Sequence, residues 1–109
     1  MATITVSYDG VELILSDNGH TNASHSEQII WHPGSGVHSI TSVTKKTSSP
    51  KTTEEFWANP PQQNGVNFKG TINGTVVGAW DYNISANGGN GGNPVDLPPK
   101  DPRIQVLSK

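Results

Sequence analysis

Hydrophobic and polar residues alternate with a period of two over much of the chain. The pattern is clearest from Ile4 to Leu15, from Ile29 to Val43 and from Val76 to Ile84. Successive side chains of a β-strand point to opposite faces of its sheet, so this period is typical of strands with one buried face. The phase predicts that three large aromatic side chains point inward, namely Trp31, Trp80 and Tyr82.

Short turn signals such as "DG", "PGSG", "NPP" and "QNG" separate the apolar segments. We therefore predict about eight short strands in an all-β sandwich, as a single domain that spans residues 1–109. Only the segment "KTTEEFW", residues 51–57, is expected to form a helical turn. The segment "SANGGNGGNPVDLPPKDP", residues 85–102, is expected to be a long mobile loop, because glycine and asparagine are costly to order and proline favours an extended path.

Charge and composition exclude several classes of protein. The 109 residues carry seven Lys and Arg against nine Asp and Glu, so there is no basic field for nucleic acid. The chain has no cysteine, which removes disulfides, thiolate metal ligands and cysteine nucleophiles together. No stretch approaches the ~20 apolar residues that span a bilayer, so we expect a soluble domain without membrane partners.

The N-terminal residues "MATITVSYDG" lack the basic and apolar regions of a signal peptide. The chain as it stands is therefore expected to be cytoplasmic, and a mature or trimmed form would be periplasmic or secreted. The compartment itself stays open.

Two blocks of the sequence resemble the cupredoxin family of small β-sandwiches, best known from blue copper proteins. The block "IIWHPGSGVHSI", residues 29–40, is similar to the family's apolar strand, turn and strand that opens on a histidine ligand. The block "GAWDYNI", residues 78–84, with "RIQV" at residues 103–106, is similar to the penultimate and last strands. The resemblance implies a mixed Greek-key sandwich of bacterial type and places His38 on the ligand position.

The same resemblance implies that the copper site is lost. Carried over residue by residue, the family's cysteine position falls on Ile84, and the loop after it contains no second histidine and no methionine. A blue copper centre needs two imidazoles and a thiolate. We therefore expect no type 1 copper and no cofactor.

Four histidines leave a different metal site open. In this alternative His20, His25, His32 and His38 supply ligands for Cu(II) or Zn(II) in a metal-handling protein. The alternation argues against His32 as a ligand of this metal site, because His32 points outward if Trp31 points inward. We prefer the interpretation in which His38 packs under a loop and the other three are solvated.

No group of residues has the pattern of a catalytic site. Glu54 and Glu55 are adjacent and diverge on either a strand or a helix, so they do not form an acid and base pair. Serines near His38 lack the nucleophile-elbow pattern. We predict no catalytic residues and no enzymatic activity.

Partner binding is expected on loops. Trp57, in "EEFWANPPQQNG", is either a binding anchor or a lid over one end of the sandwich, and the lid is the preferred interpretation. Asn87, Asn90 and Asn93 are the other candidates for partner contacts. The loops at 32–37 and 85–102 are expected to meet at one end of the sandwich.

The sequence thus predicts a monomeric, non-catalytic binding or interaction module of the cupredoxin-like type, whose partner is an unidentified protein or small ligand. The metal-handling protein is the first alternative. The second is an immunoglobulin-like interaction sandwich, which would be antiparallel throughout, whereas cupredoxins pair their first and third strands in parallel.

Overall fold

The computed structural model describes residues 2–8, 13–17, 19–88, 93–95 and 102–106. Within this part of the chain there are ten strands and one short helix. No helix there is long and apolar enough to cross a membrane. In chain order the elements are β1 (Ala2–Tyr8), β2 (Leu13–Leu15), β3 (His20–Ala23), β4 (Gln28–Pro33), β5 (Val37–Lys45), α1 (Thr53–Phe56), β6 (Trp57–Asn64), β7 (Asn67–Ile72), β8 (Gly78–Gly88), β9 (Asn93–Val95) and β10 (Arg103–Val106).

The strands form two sheets around one hydrophobic core, which confirms the all-β sandwich. The first sheet has the order β2-β1-β4-β7-β6, and the second has the order β3-β10-β8-β5, with β9 added beside β8. Each sheet is mixed, because β1 pairs with β4 in parallel and β10 pairs with β3 in parallel. The strand β9 lies in the segment 85–102, which the sequence predicted as a loop.

Five aromatic side chains form the centre of the core. Trp31, Trp80 and Tyr82 are buried, as their phase in the alternation predicted, and Phe56 and Trp57 join them. The indole N–H of Trp31 donates to the Tyr82 hydroxyl at 3.2 Å, and the Trp80 and Tyr82 rings stack with centroids 5.6 Å apart. Burial raises the pKa of Tyr82, so its hydroxyl stays protonated and serves as a hydrogen-bonding group.

Asp81 lies on the polar phase of β8 but is buried, because Arg103 pairs with it across the sheet. The two residues are cross-strand partners, and the guanidinium donates from Nε at 2.6 Å and from Nη2 at 3.1 Å to the two carboxylate oxygens. The carboxylate raises the pKa of Arg103. This two-point pair ties β10 to β8 and so holds the last described strand in register.

The turn between β4 and β5 is fixed against the end of β1. The N–H of Gly34 donates to the carbonyl of Val6 at 2.7 Å, and the N–H of Tyr8 donates to the carbonyl of Ser35 at 2.8 Å. Gly36 has a φ of +77°, and a Cβ built on it would lie 2.3 Å from the Tyr8 carbonyl oxygen. Only glycine fits there, so the sequence "PGSG" fixes where β5 begins.

The predicted helical turn is present as α1, and a capping box forms its start. The Glu55 N–H donates to Thr52 Oγ1 at 3.1 Å, and the Thr52 N–H donates to Glu55 Oε1 at 3.0 Å. These contacts hold the pKa of Glu55 below its ordinary value, with the bond from the Thr52 backbone as the largest cause. The cap fixes the direction in which Phe56 and Trp57 enter the core.

We expect the capping box to make stability depend on pH in one direction. Because the folded pKa of Glu55 is lower than the unfolded one, its stabilisation is complete above the unfolded pKa and disappears as the pH falls through the folded pKa. Urea unfolding of wild type and Glu55→Gln from about pH 6 to pH 3 measures this. The stability difference between the two should shrink toward acid, and a difference that is constant with pH would contradict the proposed role of the carboxylate.

Candidate functional site

The two loops that were expected to meet do approach each other at one end of the sandwich. Val37 is paired with Gly88, so the turn at 34–36 lies beside the end of β8 and the strand β9 that follows it. The pairing belongs to the second sheet. This end is therefore built largely of strands, unlike the mobile end that the sequence predicted.

His38 occupies a β-bulge at this end and is exposed. Between the pairs Val37↔Gly88 and Ser39↔Asn87 the strand β5 has one residue more than β8, and that extra residue is His38. A bulged residue has no partner opposite it and the strand bends around it, which turns the imidazole to solvent. The expectation that His38 packs under a loop was therefore wrong.

His38 and Ile84, the two positions that the resemblance placed on copper-ligand positions, do not come together. Ile84 is fully buried in the core and lies opposite Val43. His38 lies beside Asn87, three residues further along β8, which is about 10 Å of extended chain. Ile84 therefore packs as a core side chain, away from the imidazole.

Each of the other three histidines contacts an asparagine side chain or a backbone carbonyl. His20 contacts the Asn22 side chain at 3.0 Å, His32 contacts the Asn67 side chain at 2.8 Å, and His25 contacts the carbonyl of Val76 at 2.7 Å. His25 is half-buried and so is not simply solvated, whereas His20 and His32 are exposed. Among the described residues, no three His, Asp or Glu side chains are grouped closely enough to hold a metal ion.

Trp57 is not available as a binding anchor. Its side chain is 3% exposed and lies against Trp31, Phe56 and Trp80, with ring centroids 6.0, 5.2 and 5.1 Å away. The physical reason is the capping box of α1, which directs the chain inward at this point. Trp57 is thus a core residue, and the proposed contact with a partner through it was wrong.

The three asparagine candidates have different outcomes. Asn87 is half-buried in β8, between Ser39 of β5 and Pro94 of β9. The backbone of Asn93 is paired with Gly88, and Asn90 lies outside the described residues. The prediction of a mobile loop was therefore wrong for residues 85–88 and 93–95, which form strands, while 89–92 and 96–101 lie outside the described residues.

A polar groove on the outer face of the first sheet is the feature that sequence reasoning missed. It has a volume of about 470 Å³ and lies over β4, β7 and the edge strand β6. Small-molecule sites have volumes of roughly 300–1,000 Å³, so the size suits a small ligand. Five of the lining residues carry a side-chain amide; the full lining is Gln28, Asn59, Pro60, Gln62, Gln63, Asn64, Lys69, Gly70 and Thr71.

The strand register explains why five of the lining residues share one face of the sheet. Thr71 of β7 is paired with Gln28 on one side and Asn59 on the other, and Lys69 is paired with Gln62. Cross-strand partners share one face of a sheet. Phe68 and Ile72 of β7 are buried, so Lys69 and Thr71, which alternate with them, lie on the outer face. The groove is therefore fixed by backbone pairing on three strands.

The amides of the groove are free to bind. None of the side chains of Gln28, Asn59, Gln62 and Gln63 makes a hydrogen bond within the described part of the chain. Asn59, Gln62 and Gln63 are exposed, and Gln28 is half-buried. The segment "NPPQQN" is the available signal, because four amides flank two prolines there, but its composition by itself predicts only a turn.

Comparisons with known proteins give no relative to argue from: no family model matches the chain, and a search of curated proteins found no match.

Proposed function

We propose that the chain is a non-catalytic binding module, built on a cupredoxin-like Greek-key sandwich without a type 1 copper site, and that it binds a small ligand in the polar groove. The observation that carries the proposal is the groove itself. Its amides are held on three paired strands and have no partners among the described residues, so they offer ready donors and acceptors.

Strand pairing supports the cupredoxin-like part of the proposal. The strand that carries Trp31, β4, pairs with β1 in parallel, with Ile4 opposite Trp31. The resemblance expects such a parallel pair between the first and third strands, and β4 is the third if the short strand β3 is not counted. An immunoglobulin-like sandwich of the constant type would be antiparallel throughout. The mixed sheets therefore favour the first interpretation over the second.

The donor atoms of the chain do not support a type 1 copper site. The chain contains no cysteine, and the corresponding position holds Ile84, which is buried among apolar side chains. Without a thiolate there is no sulfur to form the bond that defines a blue copper centre.

Titration with Cu(II) and Zn(II) distinguishes this proposal from the metal-handling alternative. Cu(II) should produce no intense visible thiolate band, and histidine NMR signals should show only weak, non-stoichiometric shifts. The variant for comparison is His38→Ala, and Thr41→Ala is the control because it changes an exposed residue of the same strand that is none of the four candidate ligands. Tight, stoichiometric binding that His38→Ala abolishes and Thr41→Ala leaves intact would overturn the proposal in favour of the alternative.

A further inference from the structure

The chemistry of the groove indicates the class of its ligand. A side-chain amide has a carbonyl acceptor and two N–H donors on adjacent atoms. A sugar hydroxyl is also both donor and acceptor, so an amide and a hydroxyl can each satisfy the other. From the amides of Gln28, Asn59 and Gln62 we propose that the groove binds a neutral saccharide, which deepens the binding function proposed above and rests on it.

Other ligand classes fit the lining less well. Pro60 is the only apolar side chain in it, whereas sites for apolar ligands are lined mostly by hydrophobic and aromatic residues. The lining contains no carboxylate for a cation. Lys69 is its one cationic side chain, and a site for a phosphate usually adds backbone N–H groups or arginine. The array of neutral amides therefore favours a neutral polar ligand.

The shape of the groove suits a ligand of more than one ring. Along β6 the lining runs from Asn59 to Asn64, five residue steps or roughly 16 Å of extended chain. Across the sheet it reaches from β6 over β7 to Gln28 on β4, two strand spacings or about 10 Å. An oligosaccharide lying along β6 would meet successive amides, with the Lys69 ammonium and the Thr71 hydroxyl as further partners.

NMR titration with neutral tetrasaccharides tests the proposal. The probes are cellotetraose, maltotetraose, tetra-N-acetylchitotetraose and mannotetraose, each taken to about 20 mM because a few neutral hydrogen bonds should give a Kd near 1 mM. At least one probe should shift the side-chain amide signals of Gln28, Asn59 and Gln62. Addition of salt should leave the Kd unchanged, since the ligand carries no charge.

Single substitutions assign the binding to the groove. Asn59→Ala and Gln62→Ala should each raise the Kd about tenfold, as expected for losing one or two hydrogen bonds. Both residues are exposed, so the fold should tolerate the changes. The matched control is Asn22→Ala, which removes an exposed amide on β3 and should leave the Kd unchanged.

The outcomes separate the ligand class from the binding function. One outcome is that no tetrasaccharide shifts the NMR signals of the groove residues but inorganic phosphate does, and that salt and Lys69→Met each abolish the phosphate shifts. The saccharide proposal would then be wrong, whereas the groove would remain a binding site. If a tetrasaccharide binds but Asn59→Ala and Gln62→Ala do not weaken it, the groove is the wrong place. If neither probe class shifts any groove signal, both the saccharide proposal and the groove as a binding site fail.

Discussion

Replacing Trp57 by alanine is expected to lower the free energy of unfolding by about 3–5 kcal/mol. The side chain is 3% exposed and contacts three other aromatic rings, so its removal leaves a cavity at the centre of the core. Single domains have about 5–15 kcal/mol of stability in total, so this is a large part of what is available. Urea denaturation followed by tryptophan fluorescence and circular dichroism measures it.

Two further variants make the Trp57 result interpretable. Val66→Ala is the control, because Val66 is 52% exposed and its loss should change stability by no more than about 0.5 kcal/mol. Trp57→Phe keeps a ring in place and removes an indole N–H that has no hydrogen-bond partner in the described residues, so it should cost less than alanine and should fold even if alanine does not. Unchanged stability in Trp57→Ala would contradict the core role and would restore Trp57 as a surface anchor.

Gly36→Ala is expected to destabilise the protein by about 2–5 kcal/mol, through two separate effects. A φ of +77° costs an L-residue about 1–2 kcal/mol. The new Cβ would also lie 2.3 Å from the Tyr8 carbonyl oxygen, and forcing such a contact costs about 1–3 kcal/mol more. Because the obstructing atom belongs to the backbone, the hydrogen bonds between the 34–36 turn and β1 should weaken as well.

Gly65→Ala is the matched control for Gly36→Ala. Gly65 has a φ of +68° in the two-residue turn between β6 and β7, but a Cβ there would have nothing within 4 Å. It should therefore cost only the backbone term of about 1–2 kcal/mol. Equal losses of stability in the two variants, measured by urea denaturation, would contradict the steric role of the turn against β1.

The parts of the fold that the sequence predicted are those in which one face of a strand is buried. In β4 the buried side chains Ile29 and Trp31 recur at every second position, so burial itself produces the pattern. In β8 the large core side chains Trp80 and Tyr82 do the same, although Ala79 and Asp81 are buried as well. The edge strand β6 shows no such pattern, since Trp57 is its only buried residue and it contains two prolines. Its strand structure comes from pairing with β7, and no pattern within the sequence of β6 indicates that pairing.

Long-range pairing also explains the errors at the loops. Residues 85–88 have a loop-like composition but extend β8, because β5 and β9 pair with them on either side. The bulge at His38 likewise depends on how β5 aligns with β8. A shift of one residue reverses which face each side chain occupies, so the surroundings of His38 were not predictable from its sequence neighbours.

The groove was missed for a related reason. Its amides are far apart in the sequence, with Gln28 on β4 and Asn59 and Gln62 on β6, and only the common partner strand β7 brings them together. Any β-sandwich has polar residues on the outer faces of its sheets. The presence of glutamine and asparagine therefore does not indicate a groove, and only the strand register shows that these amides lie side by side.

The most direct test of the account is to map where small ligands bind on the isotope-labelled protein. A panel of neutral, anionic and cationic small molecules would be added while backbone and side-chain amide signals are followed. We predict that the ligands that bind shift the amide signals of residues 59–64, residues 69–71 and Gln28. Shifts that cluster instead at the 34–38 turn and residues 86–88, with the groove signals unmoved, would contradict it.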